Sequence, residues 1–152
     1  MKYCVDANFF ISLWRRYFSV DIVPTFWTWL EKRAQEGLLL VPEEVFEEIT
    51  VNKDGLSLWL TSVKKHVLYS LNNAVQDALL EIVSLPSAVS LVDSNKKKHG
   101  ADIFLIAYAK AYNATVVSDD TGVERLCKDC SVRSIKYHDF LKERGLKMTI
   151  ID

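Results

Sequence analysis

Carboxylates stand at four places in the sequence where the chain is expected to change element. Asp6 directly follows the apolar run Tyr3-Cys4-Val5. Asp119 and Asp120 follow Thr115-Val116-Val117-Ser118. Asp102 falls in the first turn of a predicted helix over 101–112, and Glu43, Glu44, Glu47 and Glu48 share a predicted helix over 43–50. Each Asp taken alone reads most simply as a helix cap, a position that Asp favours. Ser, Thr or Asn would cap equally well, yet each of these positions is Asp. Their coincidence points to a shared site. Carboxylates crowded together repel unless a cation joins them. All-oxygen ligation selects a hard ion, magnesium or manganese. Such an ion activates water and stabilises the oxyanions of phosphodiester cleavage.

The four glutamates are separated by helical phase. At ~100° per residue, Val45, Phe46 and Ile49 define the buried direction. Glu43 and Glu48 then lie roughly 105–115° from it, at the boundary, and Glu44 and Glu47 point further out. Glu48 sits a turn deeper than Glu43, where compensation of the helix dipole explains a carboxylate less well. A boundary carboxylate can face a cleft, so the fourth candidate lies on this helix.

These residues need a scaffold that brings strand ends together. The apolar pattern predicts strands over 2–6, 38–41, 115–118 and 132–135, with a further strand over 148–151. It predicts helices over 7–17, 23–35, 43–50, 56–65, 73–84, 101–112, 122–127 and 137–144. In the first of these, Phe10, Leu13, Trp14 and Tyr17 share one face. Pro24 in the first turn and Gly37 past the end delimit the second. Residues 52–55 read as a turn and 95–100 as a basic loop. Short apolar strands alternating with helices predict an α/β fold: a three-layer α/β/α sandwich around a mostly parallel sheet of four to five strands. Sites in such sheets lie beyond the strand carboxyl ends, at the switch point. Asp6 and Asp119/Asp120 fall there.

Bulk properties narrow the class. A length of 152 residues fits one domain over 1–152, large enough for a core without disulfides. The net charge of −1 advertises no global attraction to nucleic acid, so such contacts must be local. Cys4, Cys127 and Cys130 are too few for a disulfide framework, and the C-x-x-C at 127–130 lacks a second ligand pair for zinc. An Asp at position 6 interrupts the start too early for a secretory leader, and no apolar run approaches the ~20 residues of a membrane span. A cytoplasmic protein is expected. No G-x-S-x-G is present, and His66, His99 and His138 are expected at the surface.

The ordered motifs resemble the PIN-domain family, which includes the VapC-type toxin nucleases of toxin–antitoxin modules. Val5-Asp6-Ala7-Asn8-Phe9-Phe10-Ile11 is similar to its opening strand, Asp and apolar helix. Leu40-Val41-Pro42 through Glu48-Ile49 matches its strand, proline and glutamate-bearing helix. Asp102 with Leu105-Ile106-Ala107 matches its D-x-x-I-A element. Val116-Val117-Ser118-Asp119-Asp120 resembles a strand ending in T-x-D, with Ser for Thr. The resemblance implies an endoribonuclease acting on single-stranded RNA through magnesium or manganese. It implies a ligand quartet of Asp6, Glu48, Asp102 and one of Asp119 and Asp120, with Asn8 and Ser118 orienting the ligands. The T-x-D spacing favours Asp120, whereas Asp119 follows the strand more directly. An antitoxin covering the acidic cleft and a homodimer are further implications. The stretch 52–95 is longer than in the compact toxins.

Lys96-Lys97-Lys98 precedes Asp102 and could steer a phosphate backbone, with Lys53, Lys64 and Lys65 extending the surface. Trp14, Trp27, Trp29 and Trp59 are expected in the core. Two further readings, a receiver-type signalling domain and a phosphatase, fit less well. A receiver domain needs a Lys after a later strand, and a haloacid-dehalogenase phosphatase needs D-x-D where Asn8 stands. A non-catalytic PIN-like binding module remains the alternative.

Overall fold

The computed structural model describes residues 1–94 and 100–147. Its centre is one sheet of five parallel strands: β1 (Tyr3–Val5), β2 (Leu39–Pro42), β3 (Leu68–Tyr69), β4 (Thr115–Val117) and β5 (Ser134–Ile135). The order is β3-β2-β1-β4-β5. Helices flank it as a three-layer α/β/α sandwich, as the alternating pattern predicts. They are α1 (Ala7–Ser12), α2 (Pro24–Gln35), α3 (Glu43–Thr50), α4 (Gly55–Ser62), α5 (Lys64–Val67), α6 (Asn73–Val83), α7 (Pro86–Ser94), α8 (Gly100–Tyr112), α9 (Thr121–Asp129) and α10 (Tyr137–Glu143). Among the described residues no helix is long and apolar enough to cross a membrane.

The central strands β1, β2 and β4 are wholly buried. That is why they read as unbroken apolar runs and not as alternation. Successive side chains of β1 serve opposite layers. The Cys4 thiol meets the Leu105 carbonyl of α8 at 3.4 Å. Tyr3 packs edge-on against Phe140 of α10, with ring centroids 4.9 Å apart, and Phe9 of α1 closes on Phe140 at 5.6 Å. Ile103 and the run Leu105 to Ala109 of α8 are all buried, as expected of a helix apolar nearly all round. Each large apolar side chain so buried contributes ~1.5–3 kcal/mol.

A second cluster holds the first helices together. Trp27 lies between Trp14 and Trp59, at centroid distances of 4.8 and 5.1 Å, and its indole N–H donates to the Phe18 carbonyl at 2.6 Å. Trp29 is half-buried against Phe26. The tryptophans are core and core margin, as expected. Gly55 opens α4 against this cluster, and a Cβ there would stand 2.8 Å from Cζ2 of Trp14.

Several expectations need correction. The helix over 7–17 does not stay α-helical: Leu13–Tyr17 forms a π-helical segment, closed by Phe18 N–H donating to the Leu13 carbonyl at 2.7 Å. The wider turn shifts the helical phase of the residues within and beyond it. Tyr17 therefore leaves the face of Leu13 and is exposed. The helix over 56–65 breaks at Val63 into α4 and α5. Strand β3 and helix α7 carry no sequence expectation. The former has only two residues, and the latter mixes serines with its apolar positions. The predicted strand over 148–151 and most of the basic loop 95–100, including Lys96, Lys97, Lys98 and His99, lie outside the described residues.

Candidate active site

The chain builds outward from β1 through β2 to β3, then returns to add β4 and β5 on the other side. The order therefore reverses between β1 and β4, where open parallel sheets form their crevice. The register Val5↔Val117 places Asp6 beside Ser118 at the two carboxyl ends. The Asp6 N–H continues this pairing to the Val117 carbonyl at 3.3 Å.

Asp6 is 5 % exposed and heavily hydrogen-bonded. Its Oδ1 accepts from the Phe9 N–H at 2.8 Å, capping α1, and from the Tyr137 hydroxyl at 2.7 Å. The Ser118 side chain also hydrogen-bonds the Asp6 carboxyl, and its oxygen accepts from the Asp120 N–H at 3.2 Å. Asp120 caps α9, with Oδ1 accepting from the Gly122 and Val123 N–H groups at 2.8 and 3.1 Å. Asp119 is exposed, and its Oδ1 accepts from the Tyr137 N–H at 2.9 Å. Capping thus accounts for part of what Asp6 and Asp120 do. It does not account for their meeting. Asp6, Asn8, Asp119, Asp120 and Tyr137 line one cleft of about 280 Å³, together with Ser12 and Tyr17.

Burial pushes the Asp6 carboxyl up to about 7, against the donors Tyr137, Ser118 and Phe9 N–H, and the Asp102 charge raises it further. The same Asp102 charge raises Glu48. Glu48 is exposed as a residue, but desolvation of its carboxyl is the larger cause of that shift. Asp102 stands in the first turn of α8, which packs on β1, β2 and β4. It therefore couples the β1 end to α3.

Helical phase misjudged two glutamates: Glu48, expected at the boundary, is exposed, and Glu44 is turned inward. Glu43 lies at the boundary and Glu47 outside, as expected. Glu44, expected to point out, is half-buried and accepts from the Tyr108 hydroxyl of α8 at 3.1 and 3.2 Å. A single polar group on the buried α8 draws it inward, which the apolar pattern of α3 alone does not encode. Sequence reasoning misses Tyr137. Its signal is positional: it opens α10 one residue beyond β5, at the same sheet edge as the aspartates.

Among the described residues no three His, Cys, Asp or Glu side chains are already gathered as a metal-binding group. The donor chemistry nevertheless fits a divalent cation. Asp6, Asp119 and Asp120 share a cleft, and Asp6, Asp102 and Glu48 are coupled by mutual repulsion, which a cation would relieve. The thiols offer no competing site. Cys4, Cys127 and Cys130 are buried, and burial pushes Cys127 up to about 12, which keeps it protonated and unreactive. His138 is exposed and His66 half-buried.

A comparison with curated proteins finds no match. The family described as "Domain of unknown function (DUF4411)" matches residues 3–148, nearly the whole chain. The protein belongs to the DUF4411 family.

Proposed function

We propose that this protein is a metal-dependent endoribonuclease, a single PIN-like domain over 1–152 that hydrolyses phosphodiesters of single-stranded RNA in the cleft at the β1/β4 edge. The observation that carries this reading is the buried Asp6 at the switch point, sharing a cleft with Asp119 and Asp120 and coupled to Asp102. Asp6, Asp102, Glu48 and the Asp119/Asp120 pair are the residues that would hold magnesium or manganese. When bound, the ion supplies a more acidic water and a counter-charge for the phosphoryl oxygens. The chain supplies position. Tyr137 and Ser118 hold the Asp6 carboxylate in one orientation, and Ser118 ties it to the Asp120 backbone. Asn8 is exposed at the cleft wall, where its amide can meet a substrate oxygen or a metal-bound water. By the resemblance, a cytoplasmic toxin of a toxin–antitoxin pair is the biological role proposed, with an antitoxin and a second copy as partners.

The test is incubation with mixed-sequence single-stranded RNA and manganese. Cutting that stops on chelation is expected. Intact RNA at every metal concentration would overturn the reading in favour of a non-catalytic binding module. A narrower prediction concerns Tyr137. Partners that orient a metal ligand are typically worth 10–100-fold in affinity or activity. Tyr137→Phe removes only the hydroxyl and keeps the ring, whose centroid lies 5.3 Å from that of Phe9. Manganese affinity is expected to fall by about 10-fold or more with little change in melting temperature. An unchanged metal titration would show that the Tyr137 bond is structural alone.

A further inference from the structure

Asp120 stands at the seam between two clefts. One is the acidic cleft; the other, of about 290 Å³, opens between α7 and α9. Ser87, Ser90, Thr121, Gly122 and Arg125 line this second cleft. Apart from Asp120 its lining holds no carboxylate among the described residues. Arg125 is exposed, and among the described residues it makes no ion pair. The Gly122 and Val123 N–H groups at the amino end of α9 are taken by Asp120 Oδ1, so Arg125 carries the positive charge of this cleft. Ser90 and Thr121 present exposed hydroxyls. Ser87 is 9 % exposed, and its hydroxyl oxygen is buried with no hydrogen-bond partner. Buried hydroxyls are nearly always paired, so this orphan, on a residue that lines the cleft, can take a partner there once it rotates about χ1. Gly122 keeps α7 and α9 close, since a Cβ there would stand 2.8 Å from Cδ1 of Leu91 and 3.1 Å from Oδ1 of Asp120.

We propose that the α7/α9 cleft is a subsite for a backbone phosphate of single-stranded RNA, flanking the phosphodiester held in the acidic cleft. Arg125 meets the phosphate charge, and the hydroxyls of Ser87, Ser90 and Thr121 donate to its oxygens, Ser87 by rotating about χ1. The Asp120 carboxylate closes the seam end with negative charge, so the phosphate belongs at the Arg125 end. Such a contact sets the register of the strand without reading its sequence. The inference rests on the ribonuclease reading for its ligand, but its test needs no cleavage.

The experiment is fluorescence anisotropy of a labelled mixed-sequence oligoribonucleotide in chelator, from 50 to 200 mM salt. It compares wild type with Arg125→Gln and Ser87→Ala. Each phosphate contact to a single strand contributes about 0.7 to the slope of log affinity against log salt. Arg125→Gln is expected to lower that slope by about 0.7. Ser87→Ala is expected to weaken binding while leaving the melting temperature equal or higher, because it removes an unsatisfied group. Binding by both variants that matches wild type, or wild type that binds no RNA, would overturn the subsite. RNA binding that responds to both variants, in a protein that never cuts, would uphold the subsite and remove the nuclease reading.

Discussion

Asp6→Asn is expected to melt later than the wild-type protein at pH 8 without divalent metal, by about 10 °C, and to cut no RNA. The folded-state carboxyl titrates at about 7 because it is buried. An unfolded Asp titrates near 3.9. Between those values the folded chain keeps a proton that the unfolded chain has released, so stability falls as pH rises. Above both values the full penalty remains. A shift of about 3 units corresponds to about 4 kcal/mol. A domain of this size loses ~2–4 °C per kcal/mol. Asn is a good cap and can still accept from Phe9 N–H and Tyr137, so the variant keeps the geometry and loses the charge. Thermal melts of both proteins at pH 5.5 and 8 check this. With these values the gap at pH 5.5 should be about half that at pH 8. Parallel pH dependence would mean that Asp6 does not carry the penalty.

Asp102→Asn is expected to abolish RNA cleavage, by about a thousand-fold or more, while leaving the fold intact. The Asp102 charge reaches both the β1 end and α3, through Asp6 and Glu48. The counter-charge that a bound ion provides to a phosphoryl oxygen is worth several kcal/mol, and about 4 kcal/mol is a thousand-fold in rate. Removing a ligand forfeits that term, whereas the near-isosteric Asn keeps the shape of the side chain in the first turn of α8. Single-turnover cleavage by the folded variant is the measurement. A rate within tenfold of wild type would exclude Asp102 from the site.

Much of this scaffold was legible in the residues. Strands buried on both faces leave unbroken apolar runs such as Leu39–Pro42, and Pro24 and Gly37 bracket α2 because each can do what few other residues can there. Asp6, Asp119 and Asp120 were found because the rule about strand ends is topological and needs no side-chain detail. The misses share a cause. The π-helical segment at Leu13–Tyr17, the inward turn of Glu44 and the Tyr137 hydrogen bond to Asp6 are all decided by distant partners. Asp6 and Tyr137 are separated by 131 positions, and only the pairing of β5 with β4 brings them together. Local propensity carries no trace of such contacts. Strand β3, with two residues, is likewise defined by its neighbour β2 and not by a pattern of its own.

The central claim is that the carboxylates of this cleft act together on a divalent cation. It is tested most directly by titrating manganese calorimetrically into wild type and Asp102→Asn at pH 8, where Asp6 has released its proton. Saturable binding by wild type, lost or weakened about 100-fold in the variant, is the predicted result. No heat of binding in either protein, or equal affinity in both, would contradict the account.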